Sequence, residues 1–343
     1  MKALILKEYN HLVYEDVPEP RIAPGEVLVQ VKACGICGSD VHGLDGSTGR
    51  RIPPIIMGHE AAGVITQVGS GVTGWQIGDR VTFDIAIYCR NCYFCRRGLV
   101  NLCDQRRIVG VSTPEFRMHG AFAEYVAIPE QVLYRLPEAL SYEQAAMMEA
   151  VSVAAHAVER TPISLYDTAL VVGSGMIGLL VIQMLRIAGC GQIIAVDLEQ
   201  DRLDRARSLG ADAGLRSGLD DVPAEVRRRT GQRGADVAFE VVGITPTVHM
   251  AVASLRKGGS LTLVGNFSPT VELPLQEVVT RQLTLIGSTN AAGESEACLD
   301  MMASGRVNVD TLISAVAPLS DGAAWFERLH QREPGLMKVI LEP

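Results

Sequence analysis

Leu170-Val171-Val172 runs directly into Gly173-Ser174-Gly175-Met176-Ile177-Gly178, and no other stretch narrows the fold as far. A bare G-x-G-x-x-G is weak evidence. Here an apolar strand precedes it, a long apolar helix follows it, and an acid closes the next strand, which makes it specific for a βαβ dinucleotide turn. That acid is Asp197, after Ile193-Ile194-Ala195-Val196. Gly173 permits the tight turn, Gly175 lets a pyrophosphate approach the backbone, and Gly178 lets helix and strand pack closely. Met176 and Ile177 open the helix whose N-terminal amides and partial positive charge meet the anion. Asp197 is placed to accept from the adenosine ribose hydroxyls and to repel a phosphate there, so it selects NAD over NADP; Arg202, close by, weakens that preference.

The same alternation continues downstream. Strand-like runs at Ala169–Val172, Ile193–Val196, Val237–Val242, Ser260–Val264 and Leu283–Ile286, with helix-like segments between several of them, predict a parallel sheet of the α/β class. Residues 1 to about 148 read differently. Short strands separated by Gly and Pro, such as Val27–Val31, Gly63–Val68, Arg80–Phe83 and Ala123–Ile128, predict an antiparallel, barrel-like domain. Helical spacing begins between Pro137 and Arg160, and the final strand, Lys338–Leu341, is expected to return to the first domain. The division is therefore 1–148 with 290–343, and 149–289 between them. A chain of 343 residues suits two domains better than one core.

A net charge of −8 argues against a nucleic-acid partner, since nonspecific affinity for phosphate backbones comes from clustered Lys and Arg. Arg227-Arg228-Arg229 is a short run and reads as a solvated helix face. Met176 to Ala188 is the longest apolar stretch, but Gln183 and Arg186 interrupt it, so a buried helix is expected rather than a membrane span. The opening Met1–Leu6 is too short an apolar run for a signal peptide, and a cytoplasmic setting is expected. In that reducing compartment the 8 cysteines point to metal rather than disulfides.

Four of them stand as Cys89-x2-Cys92-x2-Cys95-x7-Cys103. This spacing suits a closed, all-thiolate structural zinc that stiffens the 89–103 lobe, with an iron-sulfur cluster as the competing reading. Cys34, Cys190 and Cys298 lack such company and read as structural.

A second constellation is Cys37-Gly38-Ser39-Asp40-Val41-His42 followed by Gly58-His59-Glu60. A thiolate, an imidazole and carboxylates can converge on one zinc ion, and three protein ligands leave a coordination position open for chemistry. Cys37 and His59 need a further ligand, for which Glu60 and Glu149 are both candidates, Glu149 because it opens a helical segment at the domain junction. Asp40 is expected to orient the His59 ring. Arg50 and Arg51 read as a solvated loop, with contact to a substrate phosphate as the alternative.

Taken together, Gly35–His42, Gly58-His59-Glu60, the four-cysteine lobe, Glu149 and the dinucleotide fingerprint, in this order, resemble the zinc-containing medium-chain dehydrogenases. The resemblance covers essentially the whole chain and is closest to the polyol branch of sorbitol, L-iditol and galactitol-phosphate dehydrogenases. It implies a GroES-like catalytic domain holding both zinc ions, an inserted Rossmann-type NAD domain, and a homodimer or homotetramer. It also implies that Glu149 takes the third catalytic zinc position, with Glu60 a ligand in one state, and that Ser39 relays a proton through the nicotinamide ribose toward His42. The expected activity is hydride transfer from a secondary hydroxyl of a polyol or sugar alcohol to NAD. The alternatives are a threonine 3-dehydrogenase, a vicinal-diol dehydrogenase, or a dinucleotide-binding regulatory protein without chemistry.

Overall fold

The computed structural model describes residues 1–113 and 117–343. The chain divides into two units, one of Met1–Glu149 with Ala291–Pro343 and one of Ala150–Asn290.

The first unit is built on the strand Glu26–Gly35, which is buried along most of its length. It pairs antiparallel with Glu60–Val68, Tyr125–Pro129 and the C-terminal strand Lys338–Glu342. The sheet order places Leu133–Arg135 at one edge and Ile313–Pro318 at the other, the latter parallel to Lys338–Glu342. A separate three-stranded sheet joins His11–Asp16, Lys2–Glu8 and Ile55–Ile56. Apolar side chains from both sheets form one core, in which the Phe122 and Phe326 rings meet edge to face with centroids 5.6 Å apart.

Register in this sheet positions the site. Gly35 lies opposite Glu60 on one side and Ile340 on the other. The segment leading to Cys37, the carboxylate of Glu60 and the start of the last strand are thereby brought to one place. A side chain at Gly35 would run into Glu60 Oε2 and lie 3.4 Å from Lys338 Cδ, so glycine here lets the Glu60 carboxylate keep its place.

In the second unit six strands run in the order Ala213–Arg216, Gln192–Asp197, Thr168–Val172, Ala235–Glu240, Leu255–Leu263, Thr284–Gly287, and every neighbouring pair is parallel. The order reverses beside Thr168–Val172, and such a switch point opens a crevice at the carboxyl ends of the strands. The Ala213–Arg216 strand was not expected from its Ala-Gly-Leu-Arg sequence; pairing with Gln192–Asp197 imposes it. The run expected to continue to Val242 ends at Glu240, because the Glu240 carboxylate accepts from Val242 N at 3.0 Å and Gly243 N at 2.8 Å and turns the chain. Among the described residues no helix is long and apolar enough to cross a membrane.

Candidate metal centre and dinucleotide turn

Cys37 precedes the short helix Gly38–Gly43, on which Ser39 and His42, three residues apart, occupy one side. Ligand atoms of Cys37, His59 and Glu60 all lie within 4.8 Å of one another. His59 and Glu60 are buried, and Glu60 Oε1 has no hydrogen-bond partner. A buried carboxylate oxygen left unpaired costs free energy that a cation would offset, so the donor set of sulfur, nitrogen and oxygen fits zinc.

Charges around the triad are fixed by partners drawn from elsewhere in the same unit. Lys338 Nζ hydrogen-bonds Glu60 Oε2 and donates to Ile36 O at 3.1 Å. Asp40 Oδ2 accepts from Cys37 N at 3.4 Å and lies 3.4 Å from His59 Nδ1, near enough for attraction but outside hydrogen-bond geometry. Burial works to raise the Asp40 carboxyl, yet His59 and Arg51 hold it well below the usual carboxylate range. His59 shows the reverse balance: burial lowers it, and Asp40 and Cys37 raise it well above the usual imidazole range.

Glu149, the second residue of the helix Met148–Glu159, lies outside the set of mutually close ligand atoms. Its carboxyl is pushed up to about 7, chiefly by burial, with His59 opposing and Glu60 reinforcing the rise. His42 is exposed at the surface, yet the protein around it, followed by the Arg332 and His330 charges, lowers it. Such a shift favours the neutral imidazole, which keeps one ring nitrogen as an acceptor.

The expectation for Arg51 requires correction. Its side chain is 2% exposed and donates to Asp40 Oδ1 from Nε at 3.1 Å and from Nη2 at 2.7 Å, so it is neither solvated nor free for a substrate phosphate. Arg50 is exposed as expected. Lys338 is the other residue that sequence reasoning passed over. Its only local signal is a lysine heading an apolar strand.

The four thiols Cys89, Cys92, Cys95 and Cys103 also converge, all within 4.8 Å. Backbone amides point at the sulfurs: Cys92 N at Cys89 Sγ (3.4 Å), Cys95 N at Cys92 Sγ (3.5 Å), and both Cys89 N and Gln105 N at Cys103 Sγ (3.3 Å). Such donors favour thiolate, and those from Cys95 and Asp104 bring Cys92 down to about 6. The cluster of four converging sulfurs therefore fits a closed thiolate metal site.

In the second unit Gly173 adopts φ +98° and donates to Val196 O at 2.9 Å. Gly175 caps the helix Met176–Ile187, whose first two residues are Met176 and Ile177, and no atom lies within 4 Å of where its side chain would be. That space leaves the helix N-terminus open to an anion. A side chain at Gly178 would collide with the Gly173 carbonyl. Asp197 accepts from Ser174 N at 2.8 Å and Glu199 N at 3.1 Å, with Arg202 Nη1 3.8 Å away.

Residues 23–138 match the alcohol dehydrogenase GroES-like domain, and residues 177–304 match the zinc-binding dehydrogenase domain. D-xylulose reductase A of Aspergillus niger is 34% identical over 336 residues, 95% of this chain and 93% of the relative. Among solved structures, 2R,3R-butanediol dehydrogenase from Bacillus subtilis is 33% identical with a TM-score of 0.89 over 100% of this chain and 99% of its own. Galactitol-1-phosphate dehydrogenase from Escherichia coli is 27% identical with a TM-score of 0.92, covering 100% of both chains.

Proposed function

This chain belongs to the zinc-binding, GroES-like alcohol dehydrogenase family, and from that premise we propose that it oxidises a secondary hydroxyl of a polyol or sugar alcohol to the ketose, with NAD as hydride acceptor. The observation that carries this reading is the convergence of Cys37, His59 and Glu60 beside the helix bearing Ser39 and His42. The D-xylulose reductase and galactitol-1-phosphate dehydrogenase likenesses support a polyol over a simple alcohol.

Cys37, His59 and Glu60 would hold the catalytic zinc, with Glu149 as the alternative carboxylate. Zinc at such a site supplies Lewis-acid polarisation that makes a substrate hydroxyl easier to deprotonate. In the reaction one C–H bond breaks as hydride leaves for NAD, one O–H bond breaks as a proton leaves, and the C–O bond becomes a carbonyl. Ser39 Oγ takes the proton as it passes on its own, and His42, exposed on the same helix, receives the proton nearer solvent. Asp40 fixes the charge beside His59, and Lys338 holds one Glu60 oxygen, leaving the other available. Cys89, Cys92, Cys95 and Cys103 would hold the structural zinc and stiffen their lobe. Gly173, Gly175, Met176, Ile177 and Gly178 would seat the pyrophosphate, and Asp197, with Arg202 beside it, the adenosine ribose.

A cytoplasmic setting and assembly as a homodimer or homotetramer belong to the same proposal. Convergence of the four lobe thiols on one point, as zinc ligands rather than disulfide partners, supports a reducing compartment. The test is NADH formation with free and phosphorylated hexitols, pentitols, threonine and short diols, alongside metal analysis. Turnover led by a sugar alcohol supports the reading. Preference for threonine or a short diol reassigns the substrate, and no turnover with zinc absent favours a dinucleotide-binding protein without chemistry.

A further inference from the structure

We propose that Arg51 is a positioning residue for proton transfer at Ser39: its guanidinium turns the Ser39 O–H away from itself and stabilises negative charge on Ser39 Oγ as the proton moves. The inference rests on the dehydrogenase reading of this site.

Arg51 lies in a loop, yet its side chain is 2% exposed, and a buried guanidinium persists only with full pairing. Asp40 supplies that pairing by accepting from both Nε and Nη2. Nη1 donates to Arg50 O at 3.3 Å. Beyond this, Nη2 also reaches Ser39 Oγ at 3.3 Å, a contact that pairing with Asp40 does not require. Guanidinium nitrogens donate and never accept, so Ser39 must accept from Arg51 and turn its own O–H elsewhere. Of the directions a free hydroxyl can take, this removes the one toward Arg51.

The chemistry follows from that constraint. Ser39 gives up its proton and takes one from the substrate hydroxyl, and any lag between the two events leaves negative charge on Oγ. A fixed cation donating to that oxygen lowers the cost of the lag without itself gaining or losing a proton. The fold makes room for the arrangement at some expense. Gly43 ends the helix carrying Ser39, and a side chain there would strike Arg51 Cγ. Glycine is a poor helix residue, and here it admits the arginine stem.

The experiment is a double-mutant cycle of R51K with S39A, assayed by NADH formation from the best sugar alcohol, with zinc content and thermal unfolding measured on each protein. Lysine keeps the charge on Asp40 but has no second fork nitrogen for Ser39. R51K should lower kcat roughly tenfold, leave KM within about twofold, retain zinc, and enlarge the solvent deuterium isotope effect on kcat. In the S39A background the same substitution should change kcat by less than about twofold, since the group it acts through is gone. Equal losses in both backgrounds, or an unchanged isotope effect, overturn the role assigned to Arg51 while the dehydrogenase reading stands. Absence of alcohol oxidation in the unaltered protein overturns both. Should R51K fail to fold, R51Q, whose amide still donates to Asp40, enters the cycle in its place, with the same two outcomes.

Discussion

Lys338, the first residue of the last strand, hydrogen-bonds the carboxylate of Glu60 across 278 positions of sequence, and the two side chains are 1% and 0% exposed. The pair ties the returning C-terminal segment to the candidate metal centre. Removing one member leaves a buried charge without its partner, which costs about 3–5 kcal/mol. K338M should lower stability by that order in urea unfolding, and E60Q/K338M should recover much of the loss. If the double variant is no more stable than K338M, the ion pair is not what the lysine supplies.

Asp84 gives a pH dependence. Burial raises its carboxyl to about 6, while Ala86 N, which it accepts at 3.3 Å, opposes the rise. Because the folded value lies above the unfolded one, its stabilising contribution is complete below about pH 4 and is lost as pH rises through 6. D84N keeps the acceptor for Ala86 N and removes the charge. Chemical unfolding from pH 4 to 7 should show the variant gaining up to about 3 kcal/mol on the unaltered protein by pH 7. Parallel stability curves for the two proteins would contradict this.

At the dinucleotide turn Asp197 accepts from Ser174 and Glu199 amides, and in the proposed role its negative charge repels a ribose phosphate. D197N retains an acceptor and loses that charge. The ratio of kcat/KM for NADP to that for NAD should rise at least about tenfold, with Arg202 then free to attract the phosphate. A ratio that does not move would remove Asp197 from cofactor selection.

The cysteine lobe is predicted to hold its metal independently of the centre at Cys37. C92S should lose the lobe zinc and become sensitive to proteolysis between residues 89 and 103, because little core supports that loop. Retention of every zinc equivalent by C92S would show that these thiols are not ligands.

Features decided by neighbours in sequence were legible in advance. Gly173, Gly175 and Gly178 sit in a turn whose demands are local, and the four lobe cysteines announce themselves by spacing. Cys37 and His59 were legible as a pair because their residue types are rare together. Burial of Arg51 and Lys338 was not. Each is a charged residue made tolerable by one carboxylate, Asp40 or Glu60, and the local pattern around neither residue reveals which distant acid will face it. The strand Ala213–Arg216 was missed for a related reason, since its pairing with Gln192–Asp197 outweighs weak β-propensity. The position of Glu149 outside the close ligand set likewise depends on side-chain placement that spacing does not determine.

The most direct test is the zinc content and sugar-alcohol turnover of C37A beside those of the unaltered protein. The predicted result is loss of one zinc equivalent and of NADH formation, with the lobe zinc retained. Full metal content together with undiminished turnover would contradict the account.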